Sequence, residues 1–402
     1  QLEWARHVPG RVLILAPLAV AAQTIEEGKR IGVVVKRARE AVDVDGESSI
    51  YVTNYDRLHK FDPSMFQAVV LDESSIIKHH DAKTFSALTE AFRDTPFKLC
   101  ATATPSPNDY TELGTHAEFL GVCSRQEMLA EYFIHDGGDT SKWRLKGHAR
   151  KLFWKWVSTW GALVRLPSDL GYEDGAYTLP PLDVQMHEIK AHADVAKEQG
   201  LLFVEPAKTL IERRRARKGS TDDRAQRCAD VVNADAESWI VWCDLNAEEE
   251  SLTDRIPGSV AIRGNDDVWT KEDRLAKFAR GEVRVLVSKP RICGWGLNWQ
   301  HCARIAFVGV SDSWEQYHQA IRRCWRFGQK RAVDVHVFAS ELEGDVVKNL
   351  QRKEVDAARM ALELSAETNE SVRAEIYGAT RETNAYAART INIPSWLRSE
   401  AW

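Results

Sequence analysis

Two adjacent carboxylates, Asp72 and Glu73, directly follow an apolar run at residues 69–71. A short run of this kind predicts a buried strand, and strand ends are where α/β sheets bind ligands. At such an end the aspartate could hold Mg²⁺ through its water shell, while the glutamate polarises an attacking water. A bare Asp-Glu pair is also typical of a solvated acidic turn, so the neighbouring segments must decide between the two.

A second apolar run, at residues 99–103, ends in small hydroxyl side chains. Thr102 and Thr104 stand at its end, and Pro105 follows. The two runs therefore predict two strands whose polar tips share one edge, with a helix between them. An acidic pair followed by this T-A-T-P segment favours a nucleotide-hydrolysing site of the Walker B type over a solvated turn.

A third segment, QAIRRCWRFGQ, contains Arg323 and Arg326, and we expect both on one face of a helix. Paired guanidiniums at this spacing can clamp a triphosphate across an interface. A surface helix with several arginines is the alternative. Upstream, Gly294 and Gly296 permit a close approach of the backbone to a ligand.

These segments resemble the motifs of a known protein family. VVLDESS and ATATPSPNDYTELGTHAEFL resemble motifs II and III of superfamily 2 helicases of the DEAD/DEAH-box type, particularly the Swi/Snf-like branch in its phage or bacterial form. The G-x-G-L-N segment and the closing R-x-G-Q resemble motifs V and VI of that branch. The resemblance extends over residues 11–340 and implies an ATP-driven motor on double-stranded DNA, with ATP and Mg²⁺ as cofactors.

The resemblance also implies roles for individual residues. Asp72 would bind Mg²⁺, Glu73 would activate water, and Arg323 with Arg326 would stabilise charge on the γ-phosphate. Nucleotide binding or coupling to DNA would involve Thr102, Thr104, Gly294, Gly296 and Gln319. Contacts with nucleic acid would involve Pro17, Asn54, Ser288 and Asn298. From the residues alone, two alternatives to nucleic-acid contact remain. Pro17 could belong to an ordinary strand-to-helix turn, and Asn54 could lie in a turn that binds no ligand.

The alternation of strand and helix patterns predicts an α/β fold with parallel sheets. We expect two RecA-like lobes, a helical insertion and a helical C-terminal extension. The predicted boundaries are a first lobe at 1–180 with the insertion at 124–179, a second lobe at 181–343 and the extension at 344–402. Within the insertion, residues 135–141 read as a loop and residues 142–171 as an aromatic helix packed on its own domain.

Composition narrows the cellular setting. With 54 basic and 59 acidic residues, the net charge is −5, so contact with nucleic acid requires a local basic groove. The seven cysteines form no C-x-x-C pair, which argues against a zinc site or a disulfide framework. No apolar stretch approaches the roughly 20 residues of a membrane span. We therefore expect a protein of the cytoplasm that makes no membrane contact, and the resemblance to the phage or bacterial form of the family implies a bacterial or phage-infected cell.

One expected motif is missing from the sequence. The phosphate-binding pattern G-x-x-x-x-G-K-[ST] does not occur, and the chain opens on Gln1 almost directly before its first strand pattern. We expect a truncation before the Walker A motif, so that residues 1–402 alone do not hydrolyse ATP. The predicted function is an ATP-dependent DNA helicase or translocase. The alternative is a non-hydrolysing nucleic-acid-binding module derived from a helicase core, although such a module needs neither the carboxylates nor the arginines.

Overall fold

The structure is a computed structural model. It describes residues 1–17, 20–46, 48–104, 106, 109–136, 139–190, 219–293, 297–309, 311, 313–341 and 344–376. The strands in these ranges are β1 (Val12–Ala16), β2 (Val35–Arg37), β3 (Ile50–Asn54), β4 (Ala68–Asp72), β5 (Phe97–Ala101), β6 (Phe133–Asp136), β7 (Asp139–Leu145), β8 (Leu182–Ile189), β9 (Trp239–Cys243), β10 (Val260–Ile262), β11 (Val285–Ser288), β12 (Arg304–Val308) and β13 (Val333–Ser340).

The helices are interleaved with these strands. They are α1 (Leu2–Arg6), α2 (Ala21–Arg30), α3 (Lys83–Ala91), α4 (Leu113–Leu120), α5 (Arg125–Tyr132), α6 (Arg150–Val157), α7 (Thr221–Asn233), α8 (Asn246–Arg255), α9 (Val268–Ala279), α10 (Pro290–Cys293), α11 (Trp314–Ile321) and α12 (Gly344–Ile376). No helix in the described part of the chain is long and apolar enough to cross a membrane.

The first lobe, residues 1–120, is built on a five-stranded sheet in the order β2-β3-β1-β4-β5. All of its strands are parallel. Leu13 and Leu15 of β1 pack into the core on one face of the sheet, while Val12 and Ile14 pack into the core on the other. Burial on both faces explains why the strand is a continuous apolar run rather than an alternating one.

The second lobe, residues 182–340, is built on a six-stranded sheet in the order β10-β11-β9-β12-β13-β8. Its strands are also parallel. The central strand β9 is buried along its whole length. The predicted α/β class with two parallel sheets is confirmed, and both sheets are consistent with RecA-like lobes.

The insertion differs from its predicted helical form. Residues 142–145 belong to β7, which pairs with β6 in an antiparallel hairpin, and the helix is limited to Arg150–Val157. Residues 135–136 and 139–141 of the predicted loop therefore belong to the strands of this hairpin, and residues 137–138 lie outside the described residues. Cross-strand contact accounts for the difference, because the rings of His135 and Trp143 lie 3.7 Å apart on facing strands. The aromatic residues of α6 are buried, as expected of a helix packed on its own domain.

The 33-residue helix α12 connects the two halves of the molecule. Near its start, Val346 and Leu350 pack into the core of the second lobe. Further along, Met360 and Leu364 pack against the aromatic cluster of the insertion. The predicted helical extension is thus present up to residue 376, and residues 377–402 lie outside the described residues.

Candidate functional site

Asp72 and Glu73 lie at the carboxyl end of β4, as the sequence predicts. Asp72 is the last residue of the strand and pairs in register with Ala101 of β5. Glu73 follows with φ 59° and ψ 53°, in the left-handed region, and a 3₁₀ turn over Ser74–Ile77 begins after it. This sharp turn brings both carboxylates to the edge of the sheet.

For each of the two carboxylates, burial and hydrogen bonding act on the pKa in opposite directions. Burial raises the pKa of Asp72, while a hydrogen bond from Nε2 of Gln1 to Oδ1 at 2.6 Å lowers it. Burial also raises the pKa of Glu73, and hydrogen bonds from Thr102 and Ser75 oppose this. The two hydroxyls therefore favour the ionised form of the glutamate.

The two threonines after β5 connect the acidic pair to the second lobe. Oγ1 of Thr102 donates to Oε1 of Glu73 at 2.6 Å and accepts from the backbone N–H of Thr104 at 3.1 Å. The hydroxyl of Thr104 lies 3.5 Å from Nε2 of Gln319, which belongs to α11. A chain of contacts thus runs from Glu73 across the cleft to the second lobe.

Arg323 and Arg326 do not lie on a helical face as predicted, because α11 ends at Ile321. The side chain of Arg323 explains the end of the helix. Its Nε donates to the carbonyl of Gln319 at 2.9 Å, which is the carbonyl that its own backbone N–H would bond in a continued helix. The two arginines still converge, because each Nη1 donates to the carbonyl of Leu297, at 3.1 Å and 3.3 Å.

Arg323 of the second lobe lies close enough to the two carboxylates of the first lobe for their charges to interact. Burial lowers the pKa of Arg323 to about 10, with a smaller contribution from Arg326, whereas Glu73 and Asp72 act in the opposite direction. Arg323 is therefore charged at neutral pH and is attracted by the acidic pair. Burial also lowers the pKa of Arg326. Its Nη1 donates to Oδ1 of Asn298, and its buried Nε has no hydrogen-bond partner among the described residues.

A cavity of about 370 Å³ lies in the cleft between the lobes. Its wall includes Glu73 and Lys78 from the first lobe and Glu315 from the second. Lys78 and Glu315 form an ion pair across the cleft, with only 18% and 5% of their side chains exposed. Together with the contact between Thr104 and Gln319, this pair holds the lobes against each other.

The residues predicted to contact nucleic acid lie in different environments. Pro17 and Asn54 line the cleft cavity. Ser288 is fully buried, and its hydroxyl donates to the carbonyl of Ile262 at 2.9 Å. Asn298 lies beside the arginines, through its bond to Arg326. The predicted residues Gly294 and Gly296 lie outside the described residues.

The second lobe has a polar groove of about 530 Å³ that was not predicted from the sequence. It lies at the carboxyl ends of β9, β10 and β11 and is lined by Asn246, Glu249, Glu250, Arg263, Gly264, Asn265, Lys289, Arg291 and Ile292. Its basic members lie at the end of a strand pattern or within three residues after one, which is the signal that could have identified them.

The described residues offer few side chains that could hold a metal ion. Among the described residues, no group of three or more His, Cys, Asp or Glu side chains is arranged to hold a metal ion. Asp72 is a single carboxylate at a strand end, which suits an ion that keeps several of its waters, as Mg²⁺ does. All seven cysteines are free thiols, and His79 and His80 are exposed.

Comparison with known proteins identifies the type of domain in the second lobe. Residues 232–328 match the family model of the helicase conserved C-terminal domain. The matched range begins at the end of α7 and includes both Arg323 and Arg326. No curated protein matches the chain. The second lobe therefore carries a C-terminal domain of the type found in helicases of superfamilies 1 and 2.

Proposed function

We propose that the protein is an ATP-dependent DNA translocase of superfamily 2, in the Swi/Snf-like branch, that couples ATP hydrolysis to movement on double-stranded DNA. The main support is the placement of Asp72 and Glu73 near Arg323 across one cleft, where their charges interact. A site that joins acidic groups and guanidiniums from two lobes suits a substrate that carries both phosphates and Mg²⁺. The helicase-type domain in the second lobe supports the same function.

On the first wall, Asp72 would hold Mg²⁺ and Glu73 would orient and deprotonate the attacking water. Mg²⁺, when bound, neutralises charge on the phosphate oxygens and on the leaving group. A general base must be ionised, and the bonds from Thr102 and Ser75 to Glu73 favour that form against its burial. Asp72 fits the ion because a single carboxylate at a strand end leaves positions for the waters that Mg²⁺ keeps.

On the second wall, Arg323 and Arg326 would stabilise the charge that develops on the transferred phosphoryl group. Arg323 is only 7% exposed, so that its charge is weakly screened by water. The buried Nε of Arg326 has no hydrogen-bond partner in the part of the chain that the structure describes, which fits a site that receives an anionic oxygen. Asn298 orients Arg326 through their hydrogen bond.

Movement on DNA would follow from opening and closing of the cleft. Opening separates Thr104 from Gln319 and Lys78 from Glu315, whereas closing restores both contacts. Because Thr102 bonds both Glu73 and the backbone of Thr104, the state of the cleft is coupled to the position of the general base.

We assign the phosphate backbone of DNA to two regions, the wall of the cleft cavity that Pro17 and Asn54 line and the polar groove of the second lobe. Pro17 and Asn54 would contribute from the first lobe, and the groove with Arg263, Lys289 and Arg291 would contribute from the second. A net charge of −5 makes such local basic residues necessary for binding a polyanion.

We further propose that the phosphate-binding loop is carried by sequence that precedes Gln1. The side-chain amide of Gln1 bonds Asp72 at 2.6 Å, so Gln1 lies beside the acidic pair. A triphosphate requires backbone N–H groups and a lysine that the two arginines do not replace.

The test compares ATP hydrolysis by residues 1–402 with that of a protein extended to its natural start codon, each with and without duplex DNA. We expect DNA-stimulated hydrolysis by the extended protein only. Equal rates in the two proteins would contradict the upstream loop. An extended protein that binds duplex DNA without hydrolysing ATP would favour the alternative of a non-hydrolysing DNA-binding module, for which the missing loop pattern is the supporting observation.

A further inference from the structure

The turn that carries Glu73 is strained and depends on its neighbours. Glu73 is the one non-glycine residue with a positive φ among the described residues. A side chain in the left-handed region is unfavourable unless the surrounding structure holds it there. Thr102 holds the carboxylate, with a 2.6 Å bond to Oε1, but this contact does not fix the backbone of the turn.

Behind the turn, Ser74 contacts a buried histidine on α4. Ser74 is fully buried, and its hydroxyl lies 3.1 Å from Nε2 of His116. Nδ1 of the same ring lies 3.4 Å from the carbonyl of Glu112, which can only accept a hydrogen bond. Nδ1 therefore carries the proton, so that Nε2 accepts from the hydroxyl of Ser74.

The environment of His116 keeps this arrangement in one protonation state. The side chain is buried, and burial lowers the pKa of His116 to about 4. The ring is therefore neutral at physiological pH and retains its acceptor at Nε2. His116 does not line the cleft cavity. Its effect on the cleft must pass through Ser74, the residue that directly follows Glu73.

We propose that His116 is a positioning residue for the hydrolytic reaction, which fixes Ser74 and thereby holds the strained Glu73 turn with its carboxylate in the cleft. The inference rests on the function proposed above, because it assigns a support to the general base of that reaction. Thr102 would hold the side chain of Glu73 from one side, and His116 would hold the adjacent backbone from the other.

The test uses two substitutions of His116 that differ in where they place an oxygen acceptor. In the extended protein, His116→Gln keeps an acceptor near the position of Nε2, whereas His116→Asn keeps one only near Nδ1. We expect Ser74→Ala and His116→Asn each to lower kcat up to roughly 100-fold, the scale of a 1 Å misplacement, with KM for ATP unchanged. His116→Gln should retain most of the activity.

The double variant Ser74→Ala/His116→Asn should be no slower than the slower single variant, because both substitutions remove the same contact.

Thr115→Ala is the matched control. Thr115 is a buried neighbour on α4 whose hydroxyl donates at 2.8 Å to the carbonyl of Glu112, the carbonyl that Nδ1 of His116 also contacts, and no hydrogen bond joins it to Ser74 among the described residues. This variant should lower the melting temperature and leave kcat unchanged.

Amide hydrogen exchange of the peptide at residues 73–78 gives a readout that needs no turnover. Exchange should be faster in Ser74→Ala and His116→Asn than in the wild type and in Thr115→Ala. A wild-type protein without ATP hydrolysis would contradict the proposed function, and the exchange data would still test the support of the turn. Wild-type exchange in Ser74→Ala and His116→Asn would overturn the inference, as would wild-type kcat in an active protein.

Discussion

At the scale of single residues, the positions of the reactive groups were more predictable than their conformations. The apolar run before Asp72 and Glu73 predicts a strand end, and that is where both residues lie. The left-handed backbone of Glu73 was not predictable, because contacts distant in sequence hold it. The end of α11 before Arg323 was equally unpredictable, since the side chain of Arg323 bonds the carbonyl of Gln319 in place of the backbone hydrogen bond of a continued helix.

Replacement of Glu73 tests its assignment as the general base. In the extended protein, Glu73→Gln should keep ATP affinity near the wild-type value and lower turnover by roughly 100-fold or more, because the amide cannot accept the proton of the attacking water. ATP affinity and steady-state hydrolysis are measured on the same preparation. Glu26→Gln is the control, since Glu26 is exposed and pairs only with Lys29 among the described residues. Normal turnover in Glu73→Gln would exclude it as the base.

Acid should destabilise the fold through His116. Its pKa in the folded protein is about 4, below the ordinary 6.5, so the unfolded chain binds the proton first as pH falls. The stability of the wild type relative to His116→Gln should therefore be constant above pH 6.5 and decrease between 6.5 and 4. The full decrease is up to about 3 kcal/mol.

Denaturant unfolding of both proteins across this pH range measures the difference. The raised pKa values of Asp72 and Glu73 act in the opposite direction, but they are common to both proteins and cancel in the comparison. Parallel pH profiles for the two proteins would show that His116 is not buried in its neutral form.

At the scale of elements, strands that are buried on both faces were predicted best. The apolar runs at residues 12–16 and 239–243 predict buried strands, and they form β1 and β9 with these same bounds, because a parallel strand covered by helices is apolar throughout. The hairpin of β6 and β7 was missed, since its pairing depends on contact across a turn rather than on local periodicity. Helix α12 was predicted as a helix, but no local sequence pattern indicates that it packs against the insertion.

The connection made by α12 can be tested with a matched pair of leucines. Leu364 is 5% exposed and packs against the insertion, whereas Leu362 is 54% exposed on the same helix. Leu364→Ala should lower the free energy of unfolding by about 2–5 kcal/mol, because it leaves a cavity in a packed cluster. Leu362→Ala should change it by less than about 0.5 kcal/mol. Equal midpoints of denaturation in the two variants would argue against the packing of α12 on the insertion.

At the scale of the whole molecule, the contacts between the lobes could not be predicted from local sequence patterns. Lys78 and Glu315 form an ion pair although 237 positions separate them. The resemblance to helicase motifs predicted that two lobes face each other, but neither residue of this pair was expected to join them. The polar groove of the second lobe is likewise formed by the ends of three strands that are distant in the chain.

DNA binding should depend on phosphates rather than on base sequence, because the assigned contacts are short polar and basic side chains at strand ends. Affinities for unrelated duplexes should agree at equal salt and weaken together as salt rises. Arg291→Ala should reduce the slope of log K against log salt by about 1. Arg280→Ala is the control, since Arg280 precedes β11 at the opposite end of the sheet and pairs with Glu282. A strong preference for a single duplex would contradict this account.

The most direct test of the composite site is a double-mutant cycle between its two walls. Glu73→Gln, Arg326→Ala and the double variant are compared in DNA-stimulated ATP hydrolysis by the extended protein, with melting temperatures as a check on folding. Loss of Arg326 alone should lower turnover by about 10³-fold. If both residues act on one phosphoryl transfer, the double variant should hydrolyse ATP at about the rate of the slower single variant. Losses that multiply, or an unchanged rate in Arg326→Ala, would contradict a single catalytic site formed by the two lobes.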